Sequence, residues 1–239
     1  MNGTLFHRSL PSLMGTALEF IAIGEDEKLL SELWERLSLE GRRMERLLSR
    51  FDPESEVSRL ANGALKEPSH EVGALISQAY EYQRKTFGLF DITLGGRGLD
   101  FGGFAKGWFL ERFAEELDSA AIADACVDFG GSGILARGHH PYGDCWKVGV
   151  VNPWGIETVA EIELRNEAMS TSGNTPLYSG HILNPLTGET VEGRRLVTVV
   201  SSSPLDAEVL STALMTADRE QAERLQDAFP GTKCRIYDL

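Results

Sequence analysis

The chemistry-bearing residues crowd into one short run, Leu99 to Trp108, which reads LDFGGFAKGW. Asp100 can accept a hydrogen bond from a polar ligand edge, and Lys106 can neutralise a phosphate as a point charge. Gly102 and Gly103 carry no Cβ, so the backbone there can come close to a ligand. A glycine turn that feeds a helix N-terminus is also a ready site for an anion. Further along, AEVLSTAL sets Glu208 and Thr212 four residues apart, on one face of a helix. A carboxylate and a hydroxyl at that spacing can jointly hold a hard cation such as Mg²⁺, which prefers oxygen ligands and shares its shell with phosphates.

Other segments have the same character. FDPESEVS (51–58) sets Phe51 beside an acidic turn, and TFGLFDITLGG (86–96) holds Asp91 between a glycine turn and an apolar strand. VDFGGSG (127–133) reads as a second glycine-rich hinge, and AMSTSGNT (168–175) as a small-residue loop dense in hydroxyls. HILNPLTG (181–188) puts His181 ahead of a short apolar step and a proline turn. Each has an ordinary structural reading as well. Thr212 can bond back to a helix carbonyl, Glu208 can belong to a solvated face, and Asp91 can be a plain turn former. Phe51 and Phe90 read as core more often than as cofactor stackers, and His139–His140 as surface.

These residues need elements to position them. Residues 17–23 alternate as a strand, and a helix follows from about Asp26 to Ser49, with Gly41 interrupting it at a cost of roughly 1 kcal/mol. Helices are also expected at Glu71 to Lys85, at 104–118 and at Asp206 to Ala228. The 104–118 segment sets Trp108, Phe109, Phe113 and Leu117 on one side. From Ala123 onward β-type runs take over: ADACVDF, WKVGVV, TVAEIEL, LVTVVS and KCRIY. Helices early, strands late and no linker-like stretch imply a single α+β domain over 1–239, with helices packed on antiparallel sheets.

Composition sets outer limits. With 239 residues, 42% hydrophobic, the chain can bury a substantial core. A net charge of −13 argues against general binding to nucleic acid or an anionic membrane face, while leaving room for a local positive pocket. Cys126, Cys145 and Cys234 lie far apart without metal-binding spacing, as expected of packing residues in a reducing compartment. No stretch approaches eighteen apolar residues and the first fifteen lack the apolar run of a signal peptide, so the expected location is cytoplasmic and no membrane span is expected.

Taken in order, MGT (14–16), FDPESEVS, TFGLFDITLG, DFGGFAKGW, VDFGGSG, STSG, HILNPLTG and AEVLSTAL resemble the FAD:protein FMN transferases, flavin transferases once described as thiamine-biosynthesis lipoproteins. The resemblance runs from about residue 13 to 217, and the DFGGFAKG and HILNPLTG blocks are its most specific parts. It implies a T-fold-like α+β enzyme that binds FAD with Mg²⁺ and moves the FMN half onto a threonine or serine hydroxyl of a target flavoprotein, releasing AMP. Two alternatives stay open: hydrolysis of FAD to FMN and AMP, and a flavin or nucleotide binder without catalysis.

By position, the resemblance implies that Met14, Phe51, Leu89, Phe90, Asp91, Asp100, Lys106 and His181 line the FAD site. It implies that Glu208, Thr212 and the Gly103 carbonyl hold Mg²⁺. His181 is the first candidate for the base that takes the acceptor's proton, and Asp100 the second. The chain also departs from the pattern. Only Gly95 to Leu99 join the TFGLFDITLG and DFGGFAKG blocks, and the stretch between STSG and HILNP is short. Glu208 stands where aspartate is usual, and Asn184 and Leu186 where aspartate and arginine are common. Asp206, two residues before Glu208, is considered as a substitute ligand.

Overall fold

The computed structural model of the chain describes residues 4–24, 26–176 and 180–239. Its framework is a seven-stranded, wholly antiparallel sheet. The strands are β1 (Thr4–Leu13), β2 (Thr16–Gly24), β3 (Asp124–Phe129), β4 (Gly133–Arg137), β7 (Glu167–Gly173), β8 (Arg195–Ser201) and β9 (Lys233–Asp238), lying side by side in that order. β5 (Trp146–Val151) and β6 (Thr158–Leu164) form a separate antiparallel pair. The α+β reading therefore holds, with helices packed against antiparallel sheets.

Strand alternation decides which side chains meet which layer. In β8, Val197 and Val199 point into a core with the helices, while Leu196 and Val200 point into a core with the β5–β6 pair. Burial on both faces explains why this strand reads as a continuous apolar run. On the helix side, α1 (Glu27–Leu48) and α4 (Ala105–Ser119) bury Leu33, Leu37, Phe109 and Phe113 against Leu18, Phe20 and Val127. A neighbouring core joins α3 (His70–Lys85), α5 (Pro204–Thr216), α6 (Arg219–Ala228) and β8 through Val72, Leu75, Phe104, Leu210 and Leu214. Between α1 and α3 lies the short α2 (Glu56–Ala61).

Helix starts follow from local capping. Asp26, Ser55, Ser69 and Ser203 each accept a backbone N–H at the start of α1, α2, α3 and α5. The expected single helix over Asp206 to Ala228 is instead two. Ala217 is extended, and Asp218 opens α6 with a capping box shared with Gln221, which pulls that N–H out of a continuous ladder.

Three strands were not foreseen. β1 is mostly exposed and only half apolar, β4 begins at the last residue of the glycine-rich hinge, and β7 falls in the hydroxyl-rich segment whose composition favours a loop. β7 lies in the sheet interior between β4 and β8, so pairing on both sides overrides its weak propensity. Conversely, the strand expected near Asp91 is a series of turns. The Asp91 carboxylate accepts from the N–H and hydroxyl of Thr93 and from the N–H of Gly95, and so folds the segment back on itself. The short connection between STSG and HILNP includes residues 177–179, outside the described residues.

Candidate functional site

Where the sheet meets the first turns of α4 and α5, the surface opens into a cleft of about 760 Å³. Met14, Phe51, Leu89, Phe90, Asp91, Asp100, Gly103, Lys106, His181, Glu208 and Thr212 all line it, although they come from segments scattered along the whole chain. A smaller hollow of about 370 Å³ between β6, β8 and β9 contains none of these residues.

The floor is polar. Lys106, on the first turn of α4, sets its Nζ 2.6 Å from Oε1 of Glu208 on α5. Glu208 is only 3% exposed, so the loss of water around its carboxylate has to be offset by partners. Its second oxygen accepts from the Ser170 hydroxyl at 2.8 Å. Ser170 and Ser172, two apart on β7 and therefore on one face of it, both contact Ser211 of α5. The Thr212 hydroxyl donates back to the Glu208 carbonyl at 3.1 Å, which leaves its oxygen free to accept. Asp206 is not part of this group: it accepts from Tyr82 at 2.7 Å and pairs with Lys85, away from the cleft.

The glycines of the LDFGGFAKGW run serve helix packing as much as ligand approach. A Cβ on Gly103 would stand 2.9 Å from the Thr212 hydroxyl, and one on Gly107 would stand 2.5 Å from the Glu208 Cβ. Gly103, in the turn before α4, and Gly107, in its first turn, let α4 close onto α5 and hold Lys106 beside Glu208.

The walls are apolar or aromatic. Phe90 is 4% exposed and stacks on Phe104, whereas Phe51 is 83% exposed at the mouth. Phe51 is thus not core, and the Arg50 guanidinium sits 4.6 Å from its ring centre. Met14 occupies the two-residue turn between β1 and β2 with φ of +48°, a left-handed conformation that the primed hairpin turn requires. Asp100 is held at both oxygens, one by the Gly102 N–H at 2.8 Å and the other by Arg50 at 3.3 Å. His181 is exposed and also lines the cleft.

The sequence pattern of the ApbE family matches residues 14–97 and 95–236, nearly the whole chain. The chain belongs to the ApbE family. An FAD:protein FMN transferase of Rhodobacter capsulatus is 34% identical over 137 residues, 53% of this chain and 25% of that protein. One of Vibrio cholerae is 28% identical over 165 residues, 61% and 49% of the two chains. One of Treponema pallidum is 29% identical over 159 residues, 59% and 43%. The chain thus spans half or less of the length of these curated relatives.

Solved structures show the ApbE fold throughout. The flavin transferase ApbE from Vibrio cholerae superposes with a TM-score of 0.78 at 23% identity, covering 97% of this chain and 93% of that one. The ApbE protein from Thermotoga maritima gives 0.82 at 21% identity, covering 98% and 94%.

Within this ApbE cleft, sequence reasoning missed Arg50 and the serine network of Ser170, Ser172 and Ser211. The i, i+2 spacing of Ser170 and Ser172 carried the signal, but only once β7 is read as a strand. Arg50 gave none, because its partner Asp100 is fifty residues away. Among the described residues no cluster of three His, Cys, Asp or Glu side chains could hold a metal. Any metal here would rest on mixed oxygen donors. No described helix is long and apolar enough to cross a membrane.

Proposed function

We propose that this chain transfers the FMN half of FAD to a threonine or serine hydroxyl of a target flavoprotein and releases AMP. The observation that carries this reading is the pairing of a Lys106–Glu208 floor with apolar walls in one cleft of about 760 Å³. Such a cleft suits a ligand with a flat apolar ring joined to an anionic linker, and its size falls in the range of about 300–1,000 Å³ usual for small-molecule sites.

The residues also fit a hard divalent cation. Glu208 supplies a carboxylate and Thr212 a hydroxyl, and the Gly103 backbone packs so tightly on Thr212 that no Cβ could stand between them. Mg²⁺ takes few protein oxygens and completes its shell with phosphate and water, so Glu208, Thr212 and the Gly103 carbonyl would hold it. When bound, it would neutralise the diphosphate and make the FMN phosphorus more electrophilic.

This chain's own groups do the rest. Phe90, Leu89 and Met14 offer apolar surface to a ring, and Lys106 offers charge to a phosphate oxygen. The acceptor oxygen forms a bond to the FMN phosphorus as the bond from that phosphorus to the AMP oxygen breaks, and AMP departs with the electron pair. The hydroxyl proton needs a base. With Asp100 engaged by Gly102 and Arg50, exposed His181 is the better placed of the two candidates, and its Nδ1 or Nε2 takes the proton.

The test is chromatographic detection of AMP from FAD and Mg²⁺, with and without a threonine-bearing flavoprotein domain, together with the acceptor's mass. AMP with a mass gain of one FMN on the acceptor supports transfer. AMP and free FMN without such a gain replace transfer by hydrolysis, and no AMP from folded protein leaves a flavin binder.

A further inference from the structure

We infer that Lys106 is a built-in counter-cation for Glu208, and that its hold makes divalent-cation binding conditional on the nucleotide's diphosphate. The inference rests on the flavin-transfer reading above and adds an order to it. The Nζ–Oε1 distance is 2.6 Å, and the side chains are 20% exposed for Lys106 and 5% for Glu208. With Ser170 on Oε2, both carboxylate oxygens are engaged and the pair is electrically neutral.

A divalent cation arriving alone must share Glu208 with Lys106. That sets two positive centres against one carboxylate in a half-dry site, which Coulomb repulsion disfavours. A diphosphate changes the balance. It brings about two negative charges, matching the cation, and gives Lys106 a second anionic partner.

The side chain is suited to such an exchange. An ammonium on a flexible stem has three donors, and among the described residues Lys106 uses two, toward Glu208 and, at 3.4 Å, toward the Gly102 carbonyl. The remaining donor can meet a phosphate oxygen before the hold on Glu208 is released. Cation and nucleotide should therefore bind cooperatively, each strengthening the other by the same factor.

The experiment follows Mn²⁺ uptake by the loss of its free-ion paramagnetic signal, in the wild type, Lys106→Met and Lys106→Arg, with and without FAD. FAD uptake is followed in parallel by flavin fluorescence. We expect FAD to tighten Mn²⁺ binding to the wild type by about tenfold or more, a typical coupling between sites. Without FAD, Lys106→Met should bind Mn²⁺ about tenfold more tightly than the wild type, and Lys106→Arg should stay near it. If Lys106→Met does not fold, Lys106→Gln, which keeps a hydrogen-bond donor without the charge, takes its place. Wild-type Mn²⁺ affinity that ignores FAD, or a neutral variant no tighter than wild type, overturns the inference and leaves the functional reading standing. Wild type that takes up neither FAD nor Mn²⁺ in each other's presence overturns both.

Discussion

Gly107 lies so close to Glu208 that a Cβ added to it would stand 2.5 Å from the Glu208 Cβ and 3.0 Å from the Pro204 carbonyl oxygen. Neither neighbour is the tip of a flexible side chain, so α4 and α5 would have to separate. Gly107→Ala should therefore cost about 1–3 kcal/mol, as overpacking of a filled interior does. At Gly103 the nearest atoms belong to the Thr212 side chain. Thr212 is β-branched and stiff, so Gly103→Ala should also lower the urea midpoint, by about 1–3 kcal/mol in stability, and lose most of its AMP release. A wild-type midpoint for Gly107→Ala would show that the two helices are not held at contact.

Met14 pays backbone strain to reach the cleft. It sits at φ of +48° while packing against both helix-side cores. Asparagine tolerates that conformation, so Met14→Asn should stay within about 0.5 kcal/mol of wild type as relief of strain offsets lost packing. A β-branched residue does not tolerate it, and Met14→Ile should lose about 1–2 kcal/mol. Both variants should bind FAD more weakly in a fluorescence titration, because each removes the thioether wall. Equal stability of the two variants would sink the strain argument.

Glu208 carries both structure and proposed chemistry. Glu208→Gln leaves the Lys106 ammonium facing a neutral amide and should lower stability by about 2–3 kcal/mol, moderated because Lys106 can turn toward solvent. It should also abolish AMP release while FAD remains bound. The double variant Lys106→Met with Glu208→Gln should recover much of the lost stability, since it removes the orphaned charge. Additive losses in that cycle would mean the pair is not coupled.

How much of this was legible in the sequence depends on whether a residue's signal is local. The helix bearing Leu33, Leu37 and Met44 announces itself through periodicity, and the Glu208–Thr212 pair through spacing, because both are fixed within a turn or two of helix. The break at Asp218 is also local, in its capping box with Gln221. β7 was not legible: its serines and glycine favour a loop until β4 and β8 pair with it on both sides. The same is true of function. The cleft residues sit in motifs whose order along the chain is legible, but Ser170 on Glu208 and Arg50 on Asp100 are contacts made only by the tertiary fold.

Behind the cleft, Glu111 of α4 reaches Ser203, the residue that caps α5. Burial, opposed by the Ser203 hydroxyl and reinforced by nearby Asp206 and Glu115, raises its pKa above the ordinary 4.5. A carboxyl group whose folded pKa is raised binds its proton more tightly when folded. Its contribution to stability is complete below pH 4.5 and is lost as pH rises through the folded value. Glu111→Gln keeps an acceptor for Ser203 but cannot ionise. Its urea midpoint, relative to wild type, should therefore climb as pH is raised from about 4 to 7. A gap that stays constant over that window, or that closes as pH rises, would show that burial does not raise the Glu111 pKa. Because Ser203 starts the helix that carries Glu208 and Thr212, any such gain should leave the order of FAD affinities among the cleft variants unchanged.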